Sequence, residues 1–592
     1  MRTVLLCISG ALILVLGSMV ASAQVPAGAK FDGPAELPRL YMNSKLSDTP
    51  SPGESLLVKT AEELQSALES VRCGETIRLQ AGAEFAGDFK FAARECDEAR
   101  WITIRTSAKD SDLPAEGSRI TPCFAGVASL PGRPEYPCSS PKNVMARLIF
   151  TGKSGQPMTI QEGANHYRFL GLEITREANG AVIYNLVSMK AKADHLVFDR
   201  DWIHGTAQDE TTRGIALGRS TYVAVVDSYF TDFHCVAVTG ACLDAQAISG
   251  GLGDDPMGPY KIVNNFLEAS GENIMFGGGP ATLNPADIEI RRNHLFKPLT
   301  WRQGSPGFVG GLSGRPFIVK NLFELKNAQR VLFEGNILEN CWSGFSQAGF
   351  AILITPKNQS NRCPNCRTTD ITIRFDRVSH IASGLVMGTG LSDAGGTASG
   401  GARYSIHDVI FDDLDGKAYG GFGALFQVTS DQPALRDVSI SHITGFASRA
   451  LFIMGVNLDH EKIINFNFTN NLVGVGSDDI VSTGGGMKNC AFQPRVHGPE
   501  EILKTCFASF NFASDAFIGS AGRWPKGNLQ PGSPSDVYMV DFHEGKGGDY
   551  HLCHEKKGDH CKKKSPAAGA GSDGKDLGAD VDAVRAATEG VE

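Results

Sequence analysis

Residues 260–271 read YKIVNNFLEASG: an alternating strand, a pair of asparagines, then a second short apolar run closed by Ser-Gly. Alternation of this kind marks a half-buried strand, and Asn at the break marks a sharp turn. The phrase recurs as YRFLGLEIT from Tyr167, HLVFDRDWIHG from His195, YVAVVDSYFTDF from Tyr222, IEIRRNHLF from Ile288 and RVLFEGNILEN from Arg330. Later copies are ITIRFDRVSHI from Ile371, DVIFDDLDG from Asp408, VSISHITGF from Val438 and KIINFNFTNNLVG from Lys462. Asp201 to Ser228 is 27 residues, Asn265 to Asn293 is 28 and His442 to Asn471 is 29; Asn293 to Asn336 stretches to 43, and inserted loops such as Gly304–Arg315 and Thr389–Ala402 lengthen such intervals. A strand-turn-strand unit of this period is too short to hold a full helix as well, so each copy is one rung of a parallel β-helix. Asn265, Asn293, Asn336 and Asn471 are expected to be turn residues with a structural part, tolerating left-handed backbone and satisfying neighbouring backbone groups.

The chain of 592 residues has 68 glycines, 20% charged residues and a net charge of −9. That composition belongs to a folded, turn-rich protein, and without a dense Lys/Arg stripe it offers nothing to a nucleic acid. Arg2, the apolar run Val4–Val20 and Ala21-Ser22-Ala23 read as a signal peptide over residues 1–23, cut before Gln24; an uncleaved anchor is the alternative. The mature chain is expected to be secreted or periplasmic, monomeric and not inserted in a membrane. Residues 24–58 form an extended lead-in, and residues 59–160 the N-terminal cap and first rungs. Rungs fill 161–520 and a C-terminal cap and tail 521–592. Thr60-Ala61-Glu62-Glu63 is a capping box opening a short amphipathic helix, followed by a strand at Thr76–Leu79.

Apart from Cys7 and Cys341, the cysteines fall into six close couples: 73/96, 123/138, 235/242, 363/366, 490/506 and 553/561. Loop disulfides in an oxidising compartment account for them better than zinc, although spacing alone leaves connectivity open.

These rungs, the capping helix and the ending SPAAGAGSDGKDLGADVDAV from Ser565 resemble secreted bacterial proteins of the right-handed β-helix, pectate-lyase-like superfamily. ITIRTSAKDSDLPAEGSRITP from Ile102 and VKNLFELKNAQRVLFEGN from Val319 resemble an uncharacterised group within it. The resemblance implies an all-β solenoid and a polysaccharide partner. β-Helix lyases that cleave uronate polymers by β-elimination need a cation on the uronate carboxylate, a Lys or Arg base, and a further group near the leaving oxygen. In the chondroitinase B and alginate-lyase family, calcium is held by Asn and Glu on adjacent rungs, with a Lys close behind. Glu272 and Glu324 are similar in type to those ligands, so Ca2+ is the implied cofactor. Lys326 is similar to the base, with Arg330 or Arg292 as the second cation. Three departures stand out: Lys326 is only two residues from Glu324, where the family's Lys lies several beyond its acidic ligands; Gly277-Gly278-Gly279 sits where a basic residue is expected; and the family's later Arg-His-Gly phrase is missing. Trp301 and Trp342 are candidate sugar platforms, with His294, Asp244 and Gln246 as further substrate contacts. A glycoside hydrolase using the Asp412-Asp413 and Asp478-Asp479 doublets, or a glycan-binding solenoid without catalysis, are the alternatives.

Overall fold

The computed structural model describes residues 30–236, 242–344, 347–558 and 560–592. The expected leader and the start of the lead-in lie outside these. Tyr260–Val263, Phe266–Ala269 and Glu272–Phe276 make one coil. Each strand pairs in parallel with its counterpart in the coil before, Thr221–Val226, Tyr229–Phe233 and Gln246–Gly250. Each pairs likewise with the coil after, Ala286–Arg291, His294–Phe296 and Phe323–Leu325. Repetition of this pattern makes an all-β, right-handed parallel β-helix.

The coil therefore holds a third strand beyond the two read from the alternation. Every residue of Glu272–Phe276 is buried, outward and inward faces alike, so the stretch carries no polar alternation to mark it. Inside the coils Ile262, Ile274, Ile290, Phe323, Leu325 and Phe333 belong to one continuous core, and Phe323 stacks on Phe333 with ring centroids 4.4 Å apart.

One corner of the coil explains the asparagines. The left-handed residue is the one before each expected turn residue: Asn264 (φ 59°), Arg292 (φ 54°), Gly335 (φ 64°) and Asn470 (φ 63°). The asparagines that follow form a ladder. Ser228 N donates to Asn265 Oδ1 (2.9 Å), Asn265 N to Asn293 Oδ1 (3.0 Å), and Asn293 N to Asn336 Oδ1 (2.9 Å). Asn336 N then donates to Asp376 Oδ1 (2.6 Å). Side-chain oxygens thus satisfy backbone donors that the bend takes out of strand pairing, inside a fully buried row.

Asp376 ends that run, and burial raises its carboxyl well above the ordinary range, against the two bonds from Asn336. Its Oδ2 has no hydrogen-bond partner. A raised folded-state pKa gives stability that is complete below the unfolded pKa and is lost as pH rises through the folded one. Asp376→Asn keeps the acceptor and removes the titration. The variant is expected to gain on the parent in melting temperature as pH rises above the ordinary carboxylate range, with no gain at pH 3; a pH series of thermal melts checks this.

Thr60 caps the helix Ala61–Ser70 through its side chain, and Leu64, Ala67 and Leu68 close the N-terminal end of the core. The lead-in runs back along the outside of the first stack. Asp32 pairs with Arg374 (2.6 Å), the Arg39 amide donates to Asp287 (2.9 Å), and Arg168 donates to Ser44 O (2.9 Å). The C-terminal helix Val581–Thr588 lies on the solenoid wall, against Arg292 and the strand Gly400–Leu414. The cysteines pair in the six neighbouring couples, and Cys341 is a buried free thiol. Among the described residues no helix is long and apolar enough to cross a membrane.

Candidate active site

The third strand of successive coils presents one column of side chains outward. Arg213, Gln246 and Glu272 are direct register partners. Continuing the register of Ile274 with Phe323 puts Asn321 next in that column. Met275 is partnered by Glu324, three residues further along the strand. Inward neighbours Phe323 and Leu325 are locked in the core, which forces Glu324 to the outer face. It is only 1% exposed there, because other side chains cover it.

Those side chains are charged. Lys326 Nζ lies 3.0 Å from Glu324 Oε1, and Asn321 Nδ2 donates to Glu324 Oε2 (2.8 Å). Lys320 Nζ donates to Asp244 Oδ1 (2.9 Å) and lies 3.7 Å from Glu272 Oε1. Gln246 Nε2 donates to Glu272 Oε2 (2.9 Å). Burial and then the neighbouring Glu272 push the Asp244 carboxyl up to about 7, against the opposing pull of Lys320. Burial lowers the pKa of Lys326, but Glu324 and Glu272 outweigh it and hold the ammonium above its usual range. Lys320 is held up in the same way by Glu272 and Asp244.

Lys326 reaches this position over the glycine run. A Cβ on Gly277, whose φ is 102°, would come within 2.9 Å of Lys326 Cβ, and one on Gly278 would lie 3.8 Å from Lys326 Nζ. The basic group missing from residues 277–279 is thus supplied by the following coil. Behind the column, Lys297 is fully buried and donates to Ala269 O (2.7 Å), Gly271 O (2.6 Å) and Asn273 Oδ1 (3.0 Å). It ties down the turn leading into Glu272, and burial pushes its pKa down to about 8.

Of the expected site residues, Asp244, Gln246, Glu272, Glu324 and Lys326 come together. The others do not. Arg292 is a left-handed corner residue whose guanidinium caps the last helix at Ala587 O and Glu589 O, both 2.7 Å away. Arg330 grips Asp287 through two bonds of 2.7 and 3.1 Å beneath the lead-in. His294 lies in the second stack, 1% exposed, with Nε2 2.7 Å from Glu339. Trp301 and Trp342, 1% and 5% exposed, pack with Phe317 and Val319 and are not open platforms. They form the buried floor of a cleft of about 360 Å³ shared with Arg302 and Tyr419; its wall segment Pro316–Ile318 leads to Lys320 two residues on. Both Trp residues are packing groups because the inserted loop 302–322 folds down over them.

The hydrolase doublets are also dispersed. Asp412 accepts from Tyr550 and Gly547 of the C-terminal cap, Asp413 pairs with His380 and Tyr419, and Asp479 accepts from Gly522. Lys320, Asn321 and Arg213 were not anticipated. The signal that finds them is register: they become neighbours only once coils of unequal length are aligned on their third strands.

A hard cation finds suitable donors in the column. Gln246 Oε1, Glu272 Oε1 and Asn321 Oδ1 are buried oxygens without hydrogen-bond partners on consecutive coils, beside the Asp244 carboxylate. An all-oxygen set of this kind fits Ca2+.

No protein-family model and no curated protein matches the chain. Solved structures do. An alginate lyase from Paenibacillus sp. is 13% identical, with 73% of this chain and 98% of that chain covered and a TM-score of 0.27. A pectate lyase is 12% identical over 90% and 97% of the two chains, TM-score 0.33. A surface adhesin of Streptococcus pneumoniae is 10% identical over 71% and 86%, TM-score 0.34. The parallel β-helix of this chain rests on its own strand register. The chemistry has to come from the column itself.

Proposed function

We propose that the protein is an exported polysaccharide lyase that cleaves a uronate-containing glycan by β-elimination on the outer face of its third sheet. The observation that carries this reading is one outward cluster in which Lys320 Nζ bonds the Asp244 carboxylate and lies beside Glu272, with the Lys326–Glu324 pair next to it. Elimination needs a base for the C5 proton, positive charge on the uronate carboxylate to stabilise the carbanion-like transition state, and a proton for the departing oxygen at C4. The C5–H and C4–O bonds break, a C4–C5 double bond forms, and the leaving sugar takes a proton.

Within that scheme Asp244 is the base. A raised pKa makes Lys326 a poor proton acceptor in the free protein, so the base role expected of it passes to Asp244. Lys326 and Lys320 then supply the positive charge, and Lys326, the more exposed at 19% against 14% for its side chain, is the proton donor. Ca2+ bound by Glu272, Gln246 and Asn321 would add charge against the uronate carboxylate. Glu324 orients Lys326, and Lys297 fixes the turn that carries Glu272. Export is in keeping with the six disulfides.

The test is the ultraviolet absorbance of unsaturated uronate products, measured with purified mature protein on a panel of uronate polysaccharides, with added calcium and with chelator. At least one polymer is expected to give a rise, lowered tenfold or more by chelator. No rise on any polymer, with reducing ends also unchanged, sinks the lyase reading and leaves a glycan-binding solenoid.

A further inference from the structure

At the start of the first strand in two successive coils, two histidines occupy equivalent corners. Asn165 and Asp194 are register partners, and His166 and His195 follow them, both in left-handed backbone (φ 55° and 50°). The conformation aims both rings the same way: they stack with centroids 4.5 Å apart and planes 2° from parallel. Each Nδ1 faces the oxygen of the preceding side chain, His166 to Asn165 Oδ1 at 2.9 Å and His195 to Asp194 Oδ1 at 3.1 Å. A hydrogen bond from Nδ1–H to an oxygen places the lone pair on Nε2 and fixes the ring, the arrangement found behind metal-ligating histidines.

Both Nε2 atoms face one carboxylate. Glu98 Oε1 lies 3.2 Å from His195 Nε2 and 3.8 Å from His166 Nε2. His166 is 8% exposed, and its Nε2 is a buried nitrogen with no hydrogen-bond partner. At 3.2 Å Glu98 accounts for His195, but at 3.8 Å it makes no hydrogen bond to His166. It leaves unexplained why a second imidazole points a desolvated nitrogen at the same spot, at the usual cost of a buried unsatisfied group. We propose that Glu98, His166 and His195 bind one divalent cation of the zinc class, closing the loop that carries Glu98 onto the first coils.

The donor set suits that class. Two imidazoles and one carboxylate favour zinc, nickel or copper over calcium or magnesium. Ligand atoms of the three residues all lie within 4.8 Å of one another. Zinc–nitrogen bonds of about 2.1 Å span at most about 4.2 Å between two nitrogens, so the site closes by on the order of 1 Å through ring rotation. Three protein ligands leave a fourth position for water. Glu98 comes two residues after Cys96, whose disulfide to Cys73 already anchors this loop on one side. The other cluster of similar composition, Glu210 with Cys235 and Cys242, is closed to a metal because its sulfurs are joined to each other.

The experiment is a calorimetric titration of Zn2+ into the purified metal-stripped mature protein, repeated with His195→Gln and Glu98→Gln. One saturable zinc per chain is expected, weakened at least tenfold by each substitution. The Glu98 side chain is 70% exposed, so Glu98→Gln tests the site even if a histidine variant folds poorly. A local readout accompanies it: Trp101 lies edge-on to His166 at 5.0 Å, so Cu2+ should quench the part of the fluorescence that Trp101→Phe removes. Absence of saturable zinc binding overturns the proposal. So does binding left unchanged by both substitutions, or copper quenching that spares Trp101.

Discussion

Asp244→Asn is expected to lower kcat/KM on the polymer that supports elimination by about 10²–10⁴-fold, the usual share of a general base. It should also abolish the rising limb of the pH profile, which in the parent protein measured without added calcium lies at about 7. The sign follows from the group's part. A base works ionised, Asp244 ionises as pH passes its pKa, and the rate therefore climbs with pH across that value. Its position depends on Glu272, which raises the pKa, and Lys320, which lowers it. Glu272→Gln should accordingly move the limb to lower pH, and Lys320→Met to higher pH. Lys326→Ala provides the contrast: activity falls by a comparable factor, yet the rising limb stays, because Asp244 is still present. Should Asp244→Asn keep the limb and Lys326→Ala remove it, the lysine is the base and the assignment of roles made above is wrong. Steady-state rates between pH 5 and 9 on the three proteins decide the matter.

Asn293→Ala should destabilise the solenoid by about 3–5 kcal/mol. Asn293 Oδ1 accepts from both the backbone nitrogen and the side-chain nitrogen of Asn265, at 3.0 and 2.9 Å, and its own Nδ2 donates to Ile262 O at 2.8 Å. Alanine strands the Asn265 backbone N–H, takes from Ile262 O its Asn293 partner, and strands one of the two Asn265 Nδ2 hydrogens, the other being held by Val225 O, in a place that is 0% exposed. Each costs about 1–3 kcal/mol when stranded, and the ladder cannot reroute because every neighbour is already engaged. The break should also be local. The Asn265 amide is expected to lose most of its hydrogen-exchange protection while amides several coils away keep theirs, since coils contact chiefly their neighbours. A loss of stability under 1 kcal/mol with the Asn265 amide still protected would mean that water substitutes for the side chain and that the ladder is not a major source of stability.

The strand phrase, the corner asparagines and the cysteine couples were legible because each is a local pattern, and the first two recur along the chain. An alternating strand shows its buried face in its own sequence, and a disulfide between residues a few positions apart needs no knowledge of the fold. The third strand escaped the alternation for the opposite reason. Glu272–Phe276 is buried on both faces, its outer side covered by charged groups that pair with one another. The left-handed position was displaced by one residue, from Asn265 to Asn264 and from Asn293 to Arg292, because two neighbouring polar residues divide the work of bending the chain and bonding its backbone.

By itself, the sequence determined that the chain coils, roughly where each coil turns, and that Glu324 and Lys326 face outward together, since period two puts residues i and i+2 on one side of a strand. Only the tertiary structure decided what surrounds that pair. Glu272 and Lys320 are 48 residues apart in the chain and within 3.7 Å in space, and the loop length between them is free to vary without disturbing the register. Arg292, Arg330 and His294 had the right chemistry and were assigned elsewhere by the stack they occupy. In a solenoid, spacing along the chain sets which face a side chain takes, whereas the register between coils sets its neighbours, and register is fixed by core packing that no single coil contains.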